Sequence, residues 1–162
     1  MKKFFIQIIA LIAVAFAALY YATSNGSFLN LSPFSNTTKS FKLLSLDGIN
    51  LNIEVADNDS TRKKGLSGRE SLASNSGMLF KFDKVGFYSL WMKGMKFPLD
   101  FIWIKNGLVV DLNKNVSPQV VNQLDTDLPI YTPKEIVDSV LEVNAGFIDA
   151  NKISIGDVTT LK

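Results

Sequence analysis

Apolar and polar residues alternate in short runs after residue 39, and this period of two is the pattern of β-strands that bury one face. The strands that it predicts are 40–46, 49–56, 78–82, 85–92, 99–104, 108–112, 140–144 and 157–161. Asp47-Gly48 and Asn106-Gly107 each separate two such runs, and these dipeptides favour the tight turns of β-hairpins. We therefore expect at least two antiparallel hairpins.

Two short segments carry helical signals. Residues 57–60 offer N-cap side chains before a helix that runs to about Lys64, and Gly65 suits its C-terminal end. Residues 147–151 predict a single helical turn. Many short strands with few helices predict an α+β fold, a mainly antiparallel, barrel-like β domain with one or two short helices.

The N-terminal region has a different pattern, because residues 4–21 are apolar on every side. Gln7 is the one polar side chain among these 18 residues. As a helix the run would be about 27 Å long, close to the hydrocarbon thickness of a bilayer. Lys2 and Lys3 would stay in the cytoplasm by the positive-inside rule. The pattern predicts an N-terminal transmembrane helix and an extracytoplasmic β domain.

Residues 1–21 are either a cleaved signal peptide or an uncleaved signal anchor. A signal peptide usually has an apolar region of about 7–15 residues, followed by a small-x-small cleavage site. Here Ala15-Phe16-Ala17 lies inside the run, and Tyr20-Tyr21 closes it as aromatic residues do at a membrane surface. We favour a single-pass membrane protein, which cleavage would turn into a secreted one. Residues 22–38 have the composition of a linker, and 39–162 form one globular domain.

Composition narrows the chemistry, because the chain contains neither cysteine nor histidine. This excludes disulfides, thiol nucleophiles, Ser-His-Asp catalysis and the usual zinc sites, and we expect no metal and no cofactor. Of 17 basic residues, two precede the apolar run, which leaves 15 basic against 15 acidic residues and argues against nucleic acid as a partner. A basic cluster, Arg62, Lys63, Lys64 and Arg69, is interpreted as solvated surface.

Three blocks of sequence carry a family resemblance. They are 62–69 (RKKGLSGR) with 77–82 (GMLFKF), 91–104 (WMKGMKFPLDFIWI), and 140–146 (VLEVNAG) with 155–157 (IGD). In this order and spacing the chain resembles the DUF192 family, also catalogued as UPF0127, over about residues 41–161. The resemblance implies a small, often exported domain with a compact β-rich fold, in a family whose biochemical function is not established.

Two places depart from the family pattern. Ser67 stands where the family usually has Met, and Gly94-Met95 stands where it usually has Asn-Thr. The loss of Asn and Thr removes two polar side chains beside the candidate site.

Polar residues within the family blocks are the candidates for function. Asp100 and Glu142 lie between apolar neighbours in predicted strands, where an unpaired buried carboxylate would be costly. Arg69 is a natural partner for either, since a guanidinium can bind a carboxylate through two hydrogen bonds. One interpretation is therefore a structural clasp that ties the loop 65–70 to the sheet.

The functional interpretation places the same residues in a pocket. Its ligand-binding candidates are Arg69, Trp91, Met92, Lys93, Asp100 and Glu142. Asp100 and Glu142 are also the catalytic candidates, because two carboxylates with separated pKa values can hydrolyse a glycosidic bond without histidine.

The sequence favours a binding role over an enzyme. We expect a ligand-binding or accessory module at the cell envelope, attached to the membrane through residues 4–21, with a small molecule or a glycan as its ligand. The alternatives are a histidine-free, glycan-directed hydrolase and a structural partner of another envelope protein.

Overall fold

The computed structural model of the protein describes residues 11–18, 20–21, 41–118 and 127–162. The chain divides into two units, Met1–Thr38 and Lys39–Lys162. In the first unit the described residues are helical, and no helix in the described part of the chain is long and apolar enough to span a membrane. The predicted linker 22–38, and residues 4–10 and 19 of the predicted transmembrane run, lie outside the described residues.

The described residues of the second unit form one mixed sheet of seven strands with two short helices. The elements are β1 (Phe41–Leu46), β2 (Ile49–Ala56), α1 (Asp59–Lys64), β3 (Ser76–Gly86), β4 (Leu99–Lys105), β5 (Leu108–Val116), β6 (Val137–Asn144), α2 (Phe147–Ala150) and β7 (Thr159–Leu161). The order across the sheet is β5-β4-β6-β3-β2-β1-β7. Every neighbouring pair is antiparallel except β2 with β3. A strand-rich α+β fold is therefore confirmed.

Local signals in the sequence specify the turns and the first helix as predicted. Asp47 and Asn106, the first residues of the two hairpin turns, have φ of 45° and 52°, the left-handed conformation that such turns require. Asn58 caps α1 by accepting the Thr61 N–H, while the Thr61 hydroxyl accepts the N–H of Asn58.

The predicted strand at 85–92 is wrong. β3 ends at Gly86, and within the segment only Leu90 pairs again, with Tyr131. Tyr88 instead stacks on Phe82, with 3.5 Å between the ring centroids. This contact folds the chain back and takes it out of the sheet.

Backbone hydrogen bonds join the two edges of the sheet at one end. The Val109 N–H on β5 donates to the Asp157 carbonyl at 2.9 Å, and the Thr159 N–H on β7 donates to the Gly107 carbonyl at 2.7 Å. The sheet therefore curls into a half-barrel.

Each face of the sheet buries a hydrophobic cluster of its own. The inner cluster is Leu44, Leu46, Leu51, Ile53, Leu79, Ile102, Ile104, Val109, Leu141, Val143, Ile148 and Ile153. The outer cluster is Ala56, Leu66, Met78, Phe80, Met92, Leu99, Phe101, Trp103, Val116, Val137 and Val140. Side chains of β4 enter both clusters, so this strand is buried on both faces. The inner and outer faces of the sheet are named after these clusters.

Candidate functional site

Glu142 is a buried carboxyl group on the outer face. It lies opposite Met78 of β3 and Phe101 of β4, and the residue is 6% exposed. No described residue forms a hydrogen bond or an ion pair with its carboxyl group. Burial raises the pKa of Glu142 to about 8, an effect that the charge of Arg69 only partly offsets. The carboxyl group is therefore mostly protonated at pH 7.

Glu142 lines a cavity of about 250 Å³ beside α1. The other residues of its wall are Arg62, Lys63, Lys64, Gly65, Leu66, Ser67, Phe80, Phe82, Ser89, Leu90, Trp91, Lys93 and Met95. Among the described residues, every polar side-chain atom that is fully buried from solvent has a hydrogen-bond partner. The oxygens of Glu142, which have none, therefore open onto the cavity.

Two loops form the walls that face α1. Gly65, with φ of 48°, ends the helix and turns the chain into residues 65–69. The Gly68 N–H then donates to the Gly94 carbonyl at 2.9 Å, which joins this loop to residues 91–95. The basic last turn of α1 and the aromatic residue Trp91 are thereby brought to one cavity.

Trp91 and Lys93 stand at the edge of this cavity. Trp91 is 58% exposed, which is unusual for so large an apolar side chain. The ammonium nitrogen of Lys93 lies 6.0 Å from the centre of the Trp91 ring, a distance at which a cation is attracted to the ring face. The pair offers a flat apolar surface next to a positive charge.

Arg69 does not enter the cavity, because it is bound to Glu54. Its two terminal nitrogens donate to the two carboxylate oxygens of Glu54 at 2.5 and 2.7 Å. This hydrogen bonding raises the pKa of Arg69 above its usual value. The structural clasp between the loop and the sheet exists, but its carboxylate is neither Asp100 nor Glu142. It comes from β2, from a residue that the sequence did not single out.

Asp100 lies on the inner face, away from the cavity. It is fully buried and accepts hydrogen bonds from the N–H groups of Asn115, at 2.8 Å, and Ile148, at 2.9 Å. Asp100 pairs with Val143 of β6, whereas Glu142 of β6 pairs with Phe101. Adjacent residues of a strand point to opposite faces, so the sheet separates the two predicted catalytic carboxylates. The arrangement that paired-carboxylate chemistry requires is not formed.

Met92 also differs from its prediction as a ligand contact. It is 4% exposed and belongs to the outer cluster, packed with the core of that face. Its neighbour Trp91 takes the exposed position because side chains alternate along extended backbone. Within the described residues, no cluster of three or more Asp and Glu side chains could hold a metal ion.

Comparison with known proteins identifies the family. A model of the DUF192 family, described as "Uncharacterized ACR", matches residues 43–161. The chain belongs to the DUF192 family. No curated protein matches it.

Solved structures share the fold of this DUF192 domain. A proposed transcription regulator from Sinorhizobium meliloti is 29% identical, with a TM-score of 0.67 and coverage of 76% of this chain and 95% of that chain. A protein of unknown function from Novosphingobium aromaticivorans is 22% identical, with a TM-score of 0.68 and coverage of 78% and 89%. At 22% identity, the second likeness shows the fold alone.

Ser67 and Gly94, two residues at which the sequence departs from the family resemblance, lie close together beside the cavity. Ser67 is part of the wall, and a Cβ atom at Gly94 would lie 2.4 Å from the Ser67 hydroxyl oxygen. Gly94 has φ of 70°, which side chains other than glycine seldom adopt without strain. Ser67 and Gly94 are therefore close neighbours, and Ser67 belongs to the wall of the cavity.

The cavity gathers half of the predicted ligand-binding residues. Trp91, Lys93 and Glu142 line it, whereas Arg69, Met92 and Asp100 do not. Lys63 and Lys64 of α1 are exposed, in keeping with their interpretation as solvated surface, but with Arg62 they also line the cavity, which was not predicted. Their position directly before Gly65, inside a family block, is the signal that could have found them.

Proposed function

We propose that this DUF192 domain is a small-molecule-binding module at the cell envelope. The observation that carries the proposal is the carboxyl group of Glu142, which is buried, has no hydrogen-bond partner among the described residues and opens onto the cavity. Perturbed titratable groups in clefts are characteristic of functional sites.

The pairing of β6 with β3 and β4 leaves the carboxyl group of Glu142 without a hydrogen bond to any described residue. Burying a polar group without a hydrogen bond costs roughly 1–3 kcal/mol, and an apolar side chain would fill the same place between Met78 and Phe101 without that cost. A ligand in the cavity would supply the missing partner. Trp91 supports the same conclusion, because it leaves much of an aromatic ring available for contact.

The apolar run 4–21 supports a place for the module at the membrane. We propose that this run anchors the chain in the membrane as a single-pass helix, with the β domain on the extracytoplasmic side. Its length, the lysines before it and the tyrosines at its end support this orientation. The hydrolase is not proposed, because Asp100 and Glu142 face opposite sides of the sheet.

A thermal-shift panel on the full-length chain in detergent tests the binding function. The panel contains organic acids, sugars, glycan fragments, peptides and nucleotides. A ligand at about 100 times its Kd stabilises the folded state by about 2.7 kcal/mol, which raises the Tm by several degrees. We expect a shift that disappears in Trp91→Ala and persists in Phe41→Ala, a control with an equally exposed aromatic residue on β1. A panel with no shift, or shifts unchanged in Trp91→Ala, would contradict the proposal.

A second candidate function is docking to another envelope protein. Ile130 and Phe87 are 65% and 63% exposed, and Ile130 lies next to Tyr131, which pairs with the residue before Trp91. An exposed apolar patch is typical of a protein contact, and we propose that these two side chains contribute to one. Loss of a cross-linked partner in Ile130→Ser, with small-molecule shifts unchanged, would favour this candidate.

A further inference from the structure

We infer that the cavity binds a small organic anion, with the acidic group near Lys63 and Lys64, the apolar body against Trp91, and the Glu142 carboxyl group as a hydrogen-bonding partner. The inference rests on the proposed binding function and names the ligand class of that site.

The charge of the cavity wall selects an anion. Four of its residues are cationic, namely Arg62, Lys63, Lys64 and Lys93, and Glu142 is its one acidic residue. Arg62 is engaged by Asp59 at 2.7 Å, whereas no described residue forms an ion pair with Lys63 or Lys64. An acidic group on the ligand would supply the charge that these two ammonium groups lack.

The volume of the cavity and the apolar part of its wall favour a small ligand whose apolar part has one flat face. The volume of about 250 Å³ lies below the range of roughly 300–1,000 Å³ that is typical of sites for drug-sized ligands. Leu66, Phe80, Phe82 and Leu90 give the wall an apolar side. An inorganic anion alone would leave this surface uncovered.

Glu142 suits an anion because it is a donor when protonated. Burial raises its pKa to about 8, so at pH 7 it can donate to an anionic oxygen without repelling it. The charged groups around it are Arg69 from the loop, Glu54 on the same face of β2, and the cations of α1 and the 91–95 loop. Above pH 8 the ionised carboxylate would repel the ligand, and affinity should fall.

A matched pair of probes tests the inference on the full-length chain in detergent. The probes are 2-naphthoate and 2-naphthamide, which share their ring system and differ in charge, and calorimetry measures their binding. We expect naphthoate to bind about tenfold more tightly than naphthamide at pH 7, and Lys63→Gln/Lys64→Gln to remove this preference. The control, Lys42→Gln/Lys81→Gln, loses the same net charge at exposed positions outside the cavity and should keep the preference.

The pH arm of the experiment isolates Glu142. Between pH 6.5 and 9 the affinity for naphthoate should fall, and this dependence should disappear in Glu142→Gln. Equal binding of the two probes, or equal losses in the two lysine variants, would overturn the anion class. If the two probes bound equally and Trp91→Ala abolished their binding, the proposed binding function would stand and only the anion class would be wrong. If naphthoate did not bind, the inference would be wrong, and the thermal-shift panel would decide the binding function separately.

Discussion

Arg69 holds Glu54 through two parallel hydrogen bonds, at 2.5 and 2.7 Å, on the same face of the sheet as Glu142. Glu54 lies beside Met78 of β3, and Met78 lies beside Glu142 of β6, so the two glutamates are separated by one strand. The charge of Arg69 lowers the pKa of Glu142, an effect smaller than the rise that burial causes. We expect the bound carboxylate of Glu54 to weaken the effect of Arg69 on Glu142.

Removing the charge of Glu54 should therefore change the titration of Glu142. In Glu54→Gln the positive charge of Arg69 is no longer balanced, so we expect the pKa of Glu142 to fall below its wild-type value of about 8. Carboxyl-carbon NMR across pH 4–10 measures it. Glu70→Gln is the control, because Glu70 pairs with Lys96 on the surface. An unchanged pKa in Glu54→Gln would show that the clasp does not control Glu142.

The stability of the domain should depend on pH through Glu142. Its pKa is raised from 4.5 to about 8 in the folded state, so between these values the folded protein holds a proton that the unfolded chain has released. The contribution of Glu142 to stability is therefore fully present below about pH 4.5 and is lost as pH rises towards 8, by a few kcal/mol. Denaturant unfolding at pH 5, 7 and 9 should show this fall in the wild type and not in Glu142→Gln. Parallel curves would contradict the assignment.

The clasp should also stabilise the fold directly. Arg69→Ala removes one partner of a partly buried, doubly hydrogen-bonded pair and should cost about 1–3 kcal/mol in the free energy of unfolding. Arg69→Lys should recover little, since an ammonium group cannot form the two parallel bonds. Lys96→Ala breaks an exposed ion pair and should cost less than about 1 kcal/mol. Equal losses in Arg69→Ala and Lys96→Ala would argue against a specific clasp.

Asp100 should be a structural residue without a role in ligand binding. Asp100→Ala would leave the N–H groups of Asn115 and Ile148 without their acceptor, at a cost of about 2–5 kcal/mol. Because Asp100 lies on the inner face, the folded variant should bind ligands of the outer cavity as the wild type does. Asp149→Ala, which removes an exposed carboxylate of α2, serves as the control for stability. Normal stability with lost binding would reverse this assignment.

The contact between Ser67 and Gly94 should limit what position 94 tolerates. Gly94→Ala places a Cβ atom 2.4 Å from the Ser67 hydroxyl oxygen at a φ of 70° and should cost about 1–3 kcal/mol. Adding Ser67→Gly to Gly94→Ala should restore the stability lost through the Ser67 contact. The loss caused by the positive φ of residue 94 should remain. Gly68 also has a positive φ but has open space around it, so Gly68→Ala measures the loss of stability caused by φ alone. Full additivity of the Ser67 and Gly94 changes would show that the two do not interact.

Local signals account for the parts of the fold that the sequence predicted. The turns at Asp47 and Asn106 and the cap at Asn58 depend on residues within three positions of each other, and their geometry follows from these residues alone. The strand predicted at 85–92 does not form, because the stacking of Tyr88 on Phe82 takes the chain out of the sheet and the alternation of apolar residues gives no sign of this contact.

The candidate site depends on register, which no local signal contains. Alternation alone put Asp100 on one face with Ile102 and Ile104, and this is correct. The pairing of Asp100 with Val143 determines which residues of β6 lie on the same face as Asp100. A shift of the register by one residue would have placed Glu142 opposite Asp100.

The sequence by itself determined the strand-rich domain, its hairpins and its family, because turn residues and alternating apolar residues act over short distances. It also excluded cysteine and histidine chemistry. Only the tertiary structure decided that Glu54 binds Arg69, that Asp100 and Glu142 are separated, and that the lysines of α1 face the cavity. These relationships join residues far apart in the chain, and the balance between burial and charge at such contacts exists only once the sheet has formed.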